Sequence, residues 1–299
     1  MSSVLVLGAN GYIGKETARA FARFGYRVYG LVRSEEKGAG FALDEITPVV
    51  GDVSTPSTYQ EYLDTVDVVV DTSFPYTSDP VKHTYTLFDS IKQAASKRAA
   101  NGGSLTFVFT TGIWLYGNSG YEGISQDSVL SPLPELSWRP QKEQDAINLA
   151  PNVRTIVVRP GMVYGRSGGF SGRFFSGIET GSISLPKDLQ NALPTIHVDD
   201  LAEFYVKAAE RSPQVKGVIF TVINYASESI PEIIRAVRRI AGRDIKLDEY
   251  EPQNLFDNGL SLTQVIDSRF SRNLVDWQPR KRTLVEGISD YYQAWKAYQ

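Results

Sequence analysis

Three glycines near the N-terminus have a spacing that suits phosphate binding. Gly8, Gly11 and Gly14 follow the apolar run 4–7 and lie before apolar residues at helical spacing. Gly8 permits a tight turn, Gly11 lets backbone N–H groups approach a pyrophosphate at the positive end of the helix, and Gly14 lets the helix pack closely on the strand. Because the loop joins a predicted strand to a predicted helix, residues 8–14 predict a dinucleotide site.

The end of the second predicted strand indicates which dinucleotide binds. A carboxylate at this point would bond the ribose 2′-hydroxyl of NAD. Here the sequence is Leu31-Val32-Arg33-Ser34, without an acidic residue before Glu35. The planar guanidinium of Arg33 suits a 2′-phosphate. We therefore predict NADP(H) rather than NAD(H).

These residues must be positioned by alternating strands and helices. Short apolar runs predict strands at 4–7, 27–32, 46–50, 66–70, 105–110 and 153–158, with a long helix at 84–100. This alternation is typical of an α/β fold with a Rossmann-type, doubly wound parallel sheet. We predict a nucleotide-binding core at 1–160, joined by a strand at 217–223, and a smaller, mainly substrate-binding part at 161–299. Further helices are predicted at 198–210, 230–241 and 283–298.

The composition excludes several classes of protein. The 299 residues carry a net charge of −3, which gives no electrostatic indication of nucleic-acid binding. With no cysteine and two histidines, thiolate chemistry is impossible and we expect no metal site. No apolar run reaches the ~20 residues that a membrane span needs, and the N-terminus does not resemble a signal peptide. We expect a cytoplasmic protein with a small-molecule substrate, without a nucleic-acid or membrane partner.

Motifs along most of the chain resemble one family. Besides the glycine loop, they are 51–53, the segment 159–165 (Arg-Pro-Gly-Met-Val-Tyr-Gly), the segment 196–202 around His197, and 274–279. Together they are similar to the extended, atypical short-chain dehydrogenase/reductases, which include epimerases and dehydratases of the NAD-dependent type. The resemblance implies a homodimer through the helices at 84–100 and 139–149, although the sequence leaves the oligomeric state open.

The resemblance also implies roles for individual residues. Asp52 would accept a hydrogen bond from the adenine amino group, Lys142 would hold the nicotinamide ribose, and Pro160 and Val163 would border the nicotinamide. His197 belongs to a segment that looks architectural. The complete predicted cofactor set is Gly8, Asn10, Gly11, Tyr12, Ile13, Gly14, Arg33, Asp52, Val53, Thr72, Ser73, Lys142, Pro160 and Val163.

Two positions depart from the family's catalytic pattern. The family's acid is a tyrosine four residues before the lysine, and Trp138 occupies that place here. An indole N–H donates a hydrogen bond but does not titrate in water. The family's hydroxyl after the fifth strand aligns with Gly112, and strand alternation would turn the preceding Thr111 elsewhere unless the register slips. The candidate catalytic set is therefore Lys142, Thr111 and Trp138.

Three explanations for this broken pattern stay open. A relocated acid could serve a reductase, with Tyr76, Tyr116, Tyr121, Tyr164 and His83 as candidates. Hydride addition to a conjugated double bond could instead leave an enolate that Trp138 or Thr111 stabilises. The third explanation is non-redox: a regulatory NADP(H)-binding protein, or a lyase or isomerase.

Aromatic residues near the predicted pocket indicate the substrate. They are Phe74, Tyr76, Trp114, Trp138, Phe170, Phe174, Phe175 and Tyr225. If several line the cleft, the substrate is apolar or aromatic. We therefore favour an oxidoreductase that acts on a small, partly aromatic metabolite. Arg166 and Arg173 keep a nucleotide sugar as an alternative.

Overall fold

The computed structural model describes residues 2–74, 79–187 and 189–299. Strands and helices alternate through the first half, as the sequence pattern predicts. The strands are β1 (Ser3–Leu7), β2 (Arg27–Val32), β3 (Ile46–Val50), β4 (Val68–Asp71), β5 (Leu105–Thr110), β6 (Gly123–Ile124), β7 (Val153–Pro160), β8 (Met162–Gly165), β9 (Gly168–Gly169), β10 (Ser182–Pro186), β11 (Ala192–His197), β12 (Ile219–Val222), β13 (Ser227–Ser229), β14 (Lys246–Tyr250) and β15 (Val265–Ile266).

The helices predicted from apolar periodicity are present, and further short helices lie between them. They are α1 (Tyr12–Arg23), α2 (Glu35–Gly38), α3 (Gln60–Leu63), α4 (Pro80–Ala99), α5 (Arg139–Ile147), α6 (Gly172–Thr180), α7 (Val198–Glu210), α8 (Ser212–Val215), α9 (Ile230–Ala241), α10 (Leu255–Leu260), α11 (Arg269–Val275) and α12 (Ile288–Ala297).

Seven strands form one parallel sheet in the order β12-β7-β5-β4-β1-β2-β3. Every neighbouring pair in it is parallel. The strand order reverses between β1 and β4, which is the arrangement of a doubly wound sheet. The predicted α/β, Rossmann-type fold is confirmed.

Apolar side chains cover both faces of this sheet. On one face α1 and α7 pack through Phe21, Leu201 and Phe204. On the other face α4 packs through Leu87 and Ile91. Since α7 packs on this sheet and β12 belongs to it, the chain returns to the sheet after the segment from β8 to β11.

Outside this sheet, the described residues form three small sheets and a separate apolar core, here together called the smaller part. Its four-stranded sheet has the order β13-β11-β8-β9, and the pairs β10-β14 and β15-β6 are separate. Phe174, Phe175, Ile233 and Val237 belong to its core.

Several element boundaries differ from the sequence prediction, among them the start of α4, which lies at Pro80 rather than residue 84. The fourth strand begins at Val68 rather than residue 66. The last helix begins at Ile288 rather than residue 283. Here the N–H groups of Leu284 and Val285 donate to the buried carboxylate of Glu228, at 3.1 and 2.7 Å. These bonds hold the preceding segment as a turn.

Candidate functional site

Two adjoining clefts lie at the carboxyl ends of β1 and β4. This is where the strand order reverses, and parallel α/β sheets bind ligands at such points. The first, here called the glycine-loop cleft, lies along residues 8–13. The second, here called the apolar cleft, lies between the core sheet and the smaller part. Tyr12, Ile13 and Phe74 line both clefts, so the two are continuous.

The glycine loop has the geometry that a pyrophosphate requires. Gly8 has a φ of +75°, and the Gly11 N–H donates to its carbonyl at 2.8 Å. A Cβ on Gly14 would lie 2.2 Å from the same carbonyl oxygen. The first turn of α1 contains no acidic residue, and no side chain caps it. Its N–H groups therefore present a positive end to the cleft.

Most predicted cofactor residues line the glycine-loop cleft. They are Gly8, Asn10, Gly11, Tyr12, Ile13, Arg33, Asp52, Val53, Thr72 and Ser73. Gly14 lies beneath the loop, against Gly8. The cleft encloses about 620 Å³. The structure therefore brings most of the predicted cofactor residues together at one surface.

One end of this cleft carries two cations and a carboxylate. Arg33 and Lys37 are exposed there, and the sequence interpretation had missed Lys37, which lies four residues after Arg33. Asp52 accepts from the Ser54 hydroxyl and N–H groups, which lower the pKa of Asp52 below its ordinary value. Both Ser54 bonds go to Oδ1, so Oδ2 remains open to a base amino group.

The apolar cleft encloses about 600 Å³ and has mainly apolar walls. Pro160 and Val163, which the resemblance places beside a nicotinamide, are among the residues that line it. Thr111 and Gly112 also line it, because β5 ends at Thr110 and strand alternation no longer sets the direction of the next residues.

Trp138 and Lys142 lie outside the residues that line either cleft. The Trp138 N–H donates to the Glu135 carbonyl at 3.0 Å. Lys142 is buried, with its Nζ 3.1 Å from the centre of the Tyr85 ring and 3.2 Å from an Asp145 oxygen. The resemblance implies that both side chains face a ligand in the cleft. In this structure, both are engaged by other residues instead.

Arg139 lines the apolar cleft instead. It begins α5, is 6% exposed, and places its guanidinium 4.9 Å from the Phe74 ring centre and 5.1 Å from that of Trp138. Burial lowers its pKa, against the opposing charges of Asp71 and Glu143. The sequence interpretation had missed Arg139. The sequence feature that could have indicated it is its position directly after Trp138, which occupies the place of the family's tyrosine.

Thr111 belongs to a buried polar network behind the cleft. Its hydroxyl donates to Glu143 Oε1 at 2.6 Å, and Arg159 donates to both oxygens of the same carboxylate. Glu143 and Arg159 are almost fully buried. The Arg159 guanidinium lies over the Tyr116 ring, whose hydroxyl bonds Thr221. The proton of Thr111 is thus committed to Glu143, while its lone pairs remain open.

Four candidates for a relocated acid, Tyr116, Tyr121, Tyr164 and His83, are described, and none of them lines the apolar cleft. Tyr116 bonds Thr221, Tyr121 donates to the Gln190 carbonyl at 2.8 Å, and burial raises the pKa of Tyr164 well above its ordinary value. His83 lines the glycine-loop cleft. Tyr76 lies outside the described residues.

The remaining predicted residues divide between wall and core. Phe74, Trp114 and Phe170 line the apolar cleft, whereas Phe174 and Phe175 pack in the smaller part. Tyr225 is exposed and donates to Gln278.

The two arginines that could bind a diphosphate are paired with carboxylates. Arg166 binds Asp199 through two bonds, at 3.0 and 2.9 Å. Arg173 lies 3.5 Å from Asp257. Neither is among the residues that line the apolar cleft.

His197 is part of the architecture of α7. Its Nδ1 accepts the Asp199 N–H at 3.1 Å and so caps the helix. The ring is 3% exposed and lies edge-on to Tyr164. Burial lowers the pKa of His197 to about 4.

The described residues form neither a metal-binding cluster nor a membrane-spanning helix. Within 2–74, 79–187 and 189–299, no group of three acidic or histidine side chains is arranged to hold a metal ion. Across those same ranges, the helices are too short or too polar to traverse a bilayer.

Comparison with known proteins supports the resemblance. Residues 4–132 match the model of the NAD dependent epimerase/dehydratase family. An uncharacterised protein of Schizosaccharomyces pombe is 24% identical over 97% of this chain and 99% of its own length. The predicted likeness to this family is confirmed.

Solved structures share the fold. The UDP-glucuronic acid 4-epimerase of Bacillus cereus, in complex with UDP-glucuronic acid and NAD, is 18% identical with a TM-score of 0.82, covering 99% of this chain and 100% of its own. The dTDP-glucose 4,6-dehydratase of Bacillus anthracis, in complex with NAD, is 17% identical with a TM-score of 0.82, covering 99% of this chain and 97% of its own. These likenesses extend over the whole architecture.

Proposed function

We propose that this chain, which carries an NAD-dependent epimerase/dehydratase-like sequence on the extended short-chain dehydrogenase/reductase fold, is an NADP(H)-dependent oxidoreductase for a small, apolar or partly aromatic metabolite. One observation carries the proposal. The glycine-loop cleft opens directly into the apolar cleft at Tyr12, Ile13 and Phe74. A dinucleotide in the first cleft would extend its nicotinamide end into the second.

The residues at the glycine loop fit a dinucleotide. A Cβ at Gly14 would clash with the glycine loop, so the loop can lie close to α1 only with glycine there. The uncapped start of α1 suits a pyrophosphate. Arg33 and Lys37 support the phosphorylated form, because two cations can neutralise a 2′-phosphate dianion. The structural relatives contain NAD, so the preference for NADP(H) rests on these two side chains.

The residues around the apolar cleft indicate the type of reaction. A bound NADP(H) would supply or accept hydride there. Pro160 and Val163 would border the ring, and the apolar walls would exclude water. Among the described residues that line this cleft, Tyr12 is the only tyrosine, and its hydroxyl donates to the Gly165 carbonyl at 2.8 Å. We therefore favour a conjugated double bond as acceptor, since the resulting oxyanion needs a hydrogen-bond donor more than a strong acid, and the Arg139 guanidinium can supply one.

The nucleotide-sugar alternative has support from the relatives. The epimerase of Bacillus cereus is described with UDP-glucuronic acid. In this chain, Arg166 and Arg173 are already paired with Asp199 and Asp257. These pairings weaken the sugar-nucleotide alternative.

The test is NADPH oxidation, followed by nicotinamide absorbance, with a panel of enones, aldehydes and UDP-sugars. Oxidation with an apolar enone or carbonyl compound is expected, and Gly14→Ala should abolish it while Gly40→Ala should not. Conversion of a UDP-sugar without net oxidation would favour the alternative. Saturable NADPH binding without turnover across the panel would favour a regulatory protein.

The homodimer and the cytoplasmic location stay predictions.

A further inference from the structure

Arg139 is a buried cation without a hydrogen-bonding partner in the described part of the chain. It is 6% exposed and lines the apolar cleft. Its contacts are the faces of Phe74 and Trp138, and its buried Nε donates to no described acceptor. An isolated buried charge costs free energy unless it is paired and hydrogen-bonded.

The neighbouring carboxylates are already engaged. Asp71 accepts the N–H and the hydroxyl of Ser73, at 3.0 and 2.5 Å. Glu143 accepts from Arg159 and from Thr111. Both act on Arg139 through their charge, without a hydrogen bond. The guanidinium therefore keeps donors for a group that enters the cleft.

We infer that Arg139 binds the carboxylate of the substrate, which is a small monocarboxylic acid with an aromatic or apolar body. The inference rests on the proposed function and specifies its substrate class. A guanidinium matches a carboxylate with two parallel hydrogen bonds, and the apolar surroundings strengthen them.

Charge in the cleft favours a carboxylate over a phosphate. Arg139 is the one cationic side chain among the described residues that line the apolar cleft. The polar lining residues Tyr12, Thr111 and Asn254 are neutral. A monoanion is neutralised by one guanidinium, whereas a phosphate dianion would keep an uncompensated charge in apolar surroundings.

The walls fit the body of such an acid. Trp114, Phe170 and Phe256 line the same cleft, and Trp114 packs edge-on against Phe256 with ring centres 6.0 Å apart. Ring faces and edges of this kind hold a planar apolar group, while one polar contact fixes its orientation.

The experiment is calorimetric titration of trans-cinnamate, its uncharged amide cinnamamide, and phenyl phosphate. Each is titrated into the protein saturated with NADP⁺ and again into the free protein. Cinnamate should bind at least about tenfold more tightly than cinnamamide, as expected for charge-assisted hydrogen bonds. Phenyl phosphate should bind no more tightly than cinnamate.

Variants separate Arg139 from general effects. Arg139→Gln should remove the preference for cinnamate over cinnamamide and leave the NADP⁺ affinity unchanged. Arg139→Lys should keep part of the preference for cinnamate. Arg272→Gln is the matched control, because that guanidinium also lies over a ring, 5.0 Å from the centre of Tyr225, and is not among the residues that line either cleft.

Several outcomes would overturn the inference. These are equal binding of acid and amide by the wild-type protein, no binding of any probe, tenfold tighter binding of phenyl phosphate, or a preference that survives in Arg139→Gln. The wild-type comparison stands even if a variant does not fold. Failure of NADP⁺ to bind, with the cinnamate preference intact in the free protein, would instead contradict the proposed function alone.

Discussion

The hydroxyl of Thr111 donates to Glu143 Oε1 at 2.6 Å and so links the apolar cleft to a buried ion pair. Arg159 holds both oxygens of that carboxylate. The loop after β5 is thereby fixed to α5 and β7 at the point where a substrate would bind. Any change in this ion pair should affect both stability and the position of Thr111.

Arg159→Met should lower the free energy of unfolding by about 3–5 kcal/mol, because it leaves the carboxylate of Glu143 buried and unpaired. The double variant Arg159→Met, Glu143→Met should regain most of this loss. Urea unfolding measures both values. In the exposed pair of Lys246 and Asp248, Lys246→Met should cause a much smaller loss, because solvent screens the two charges. Equal losses at the two pairs would show that the buried pair has no special role.

Gly14→Ala should cost about 1–3 kcal/mol of stability and remove dinucleotide binding, since the new Cβ would lie 2.2 Å from the Gly8 carbonyl oxygen. The matched control is Gly40→Ala, where no atom lies within 4 Å of the added Cβ. Thermal unfolding and NADPH titration check the two effects. Undiminished NADPH affinity in Gly14→Ala would refute the tight loop geometry.

Arg33→Ala should weaken NADPH binding by at least about tenfold and leave NADH binding within about twofold, because only the 2′-phosphate uses the guanidinium. Fluorescence titration with both nucleotides gives the two affinities. Lys37→Ala should show a smaller change in the same direction. Parallel losses for NADPH and NADH would mean that Arg33 does not select the phosphorylated form.

Stability should fall on acidification through His197. Burial lowers its pKa to about 4, whereas an unfolded histidine titrates near pH 6.5. Below about pH 6.5, His197 binds a proton in the unfolded state but stays neutral in the folded state. The free energy of unfolding therefore decreases as the pH falls toward 4. The loss between pH 8 and pH 5 should be about 2 kcal/mol. Urea unfolding of His197→Asn at the two pH values should not show this loss. If the wild-type protein and His197→Asn lost the same free energy of unfolding, His197 would not be the group responsible.

The core of the fold could be predicted from the sequence because its signals are local. The runs that became β1, β2, β3 and β5 are short and apolar, and the glycine loop combines strand, turn and helix signals within a few residues. The start of α12 could not be predicted, since it depends on Glu228, which is more than fifty residues earlier in the chain.

The catalytic end of the site was less predictable for a similar reason. Spacing indicated Trp138 and Lys142, but it did not show that the first turn of α5 presents Arg139 to the cleft. Thr111 lies just beyond a strand, where alternation no longer determines side-chain direction. Its partner Glu143 comes from a helix, so no local pattern joins the two.

Hydrogen–deuterium exchange with and without saturating NADPH tests most directly whether the nucleotide occupies the predicted cleft. Binding there should slow amide exchange in the loop 8–14, at the end of β2 near Arg33, and around Asp52, because these residues line one continuous surface. Unchanged exchange in all three segments, or protection confined to another part of the chain, would contradict a dinucleotide-binding oxidoreductase.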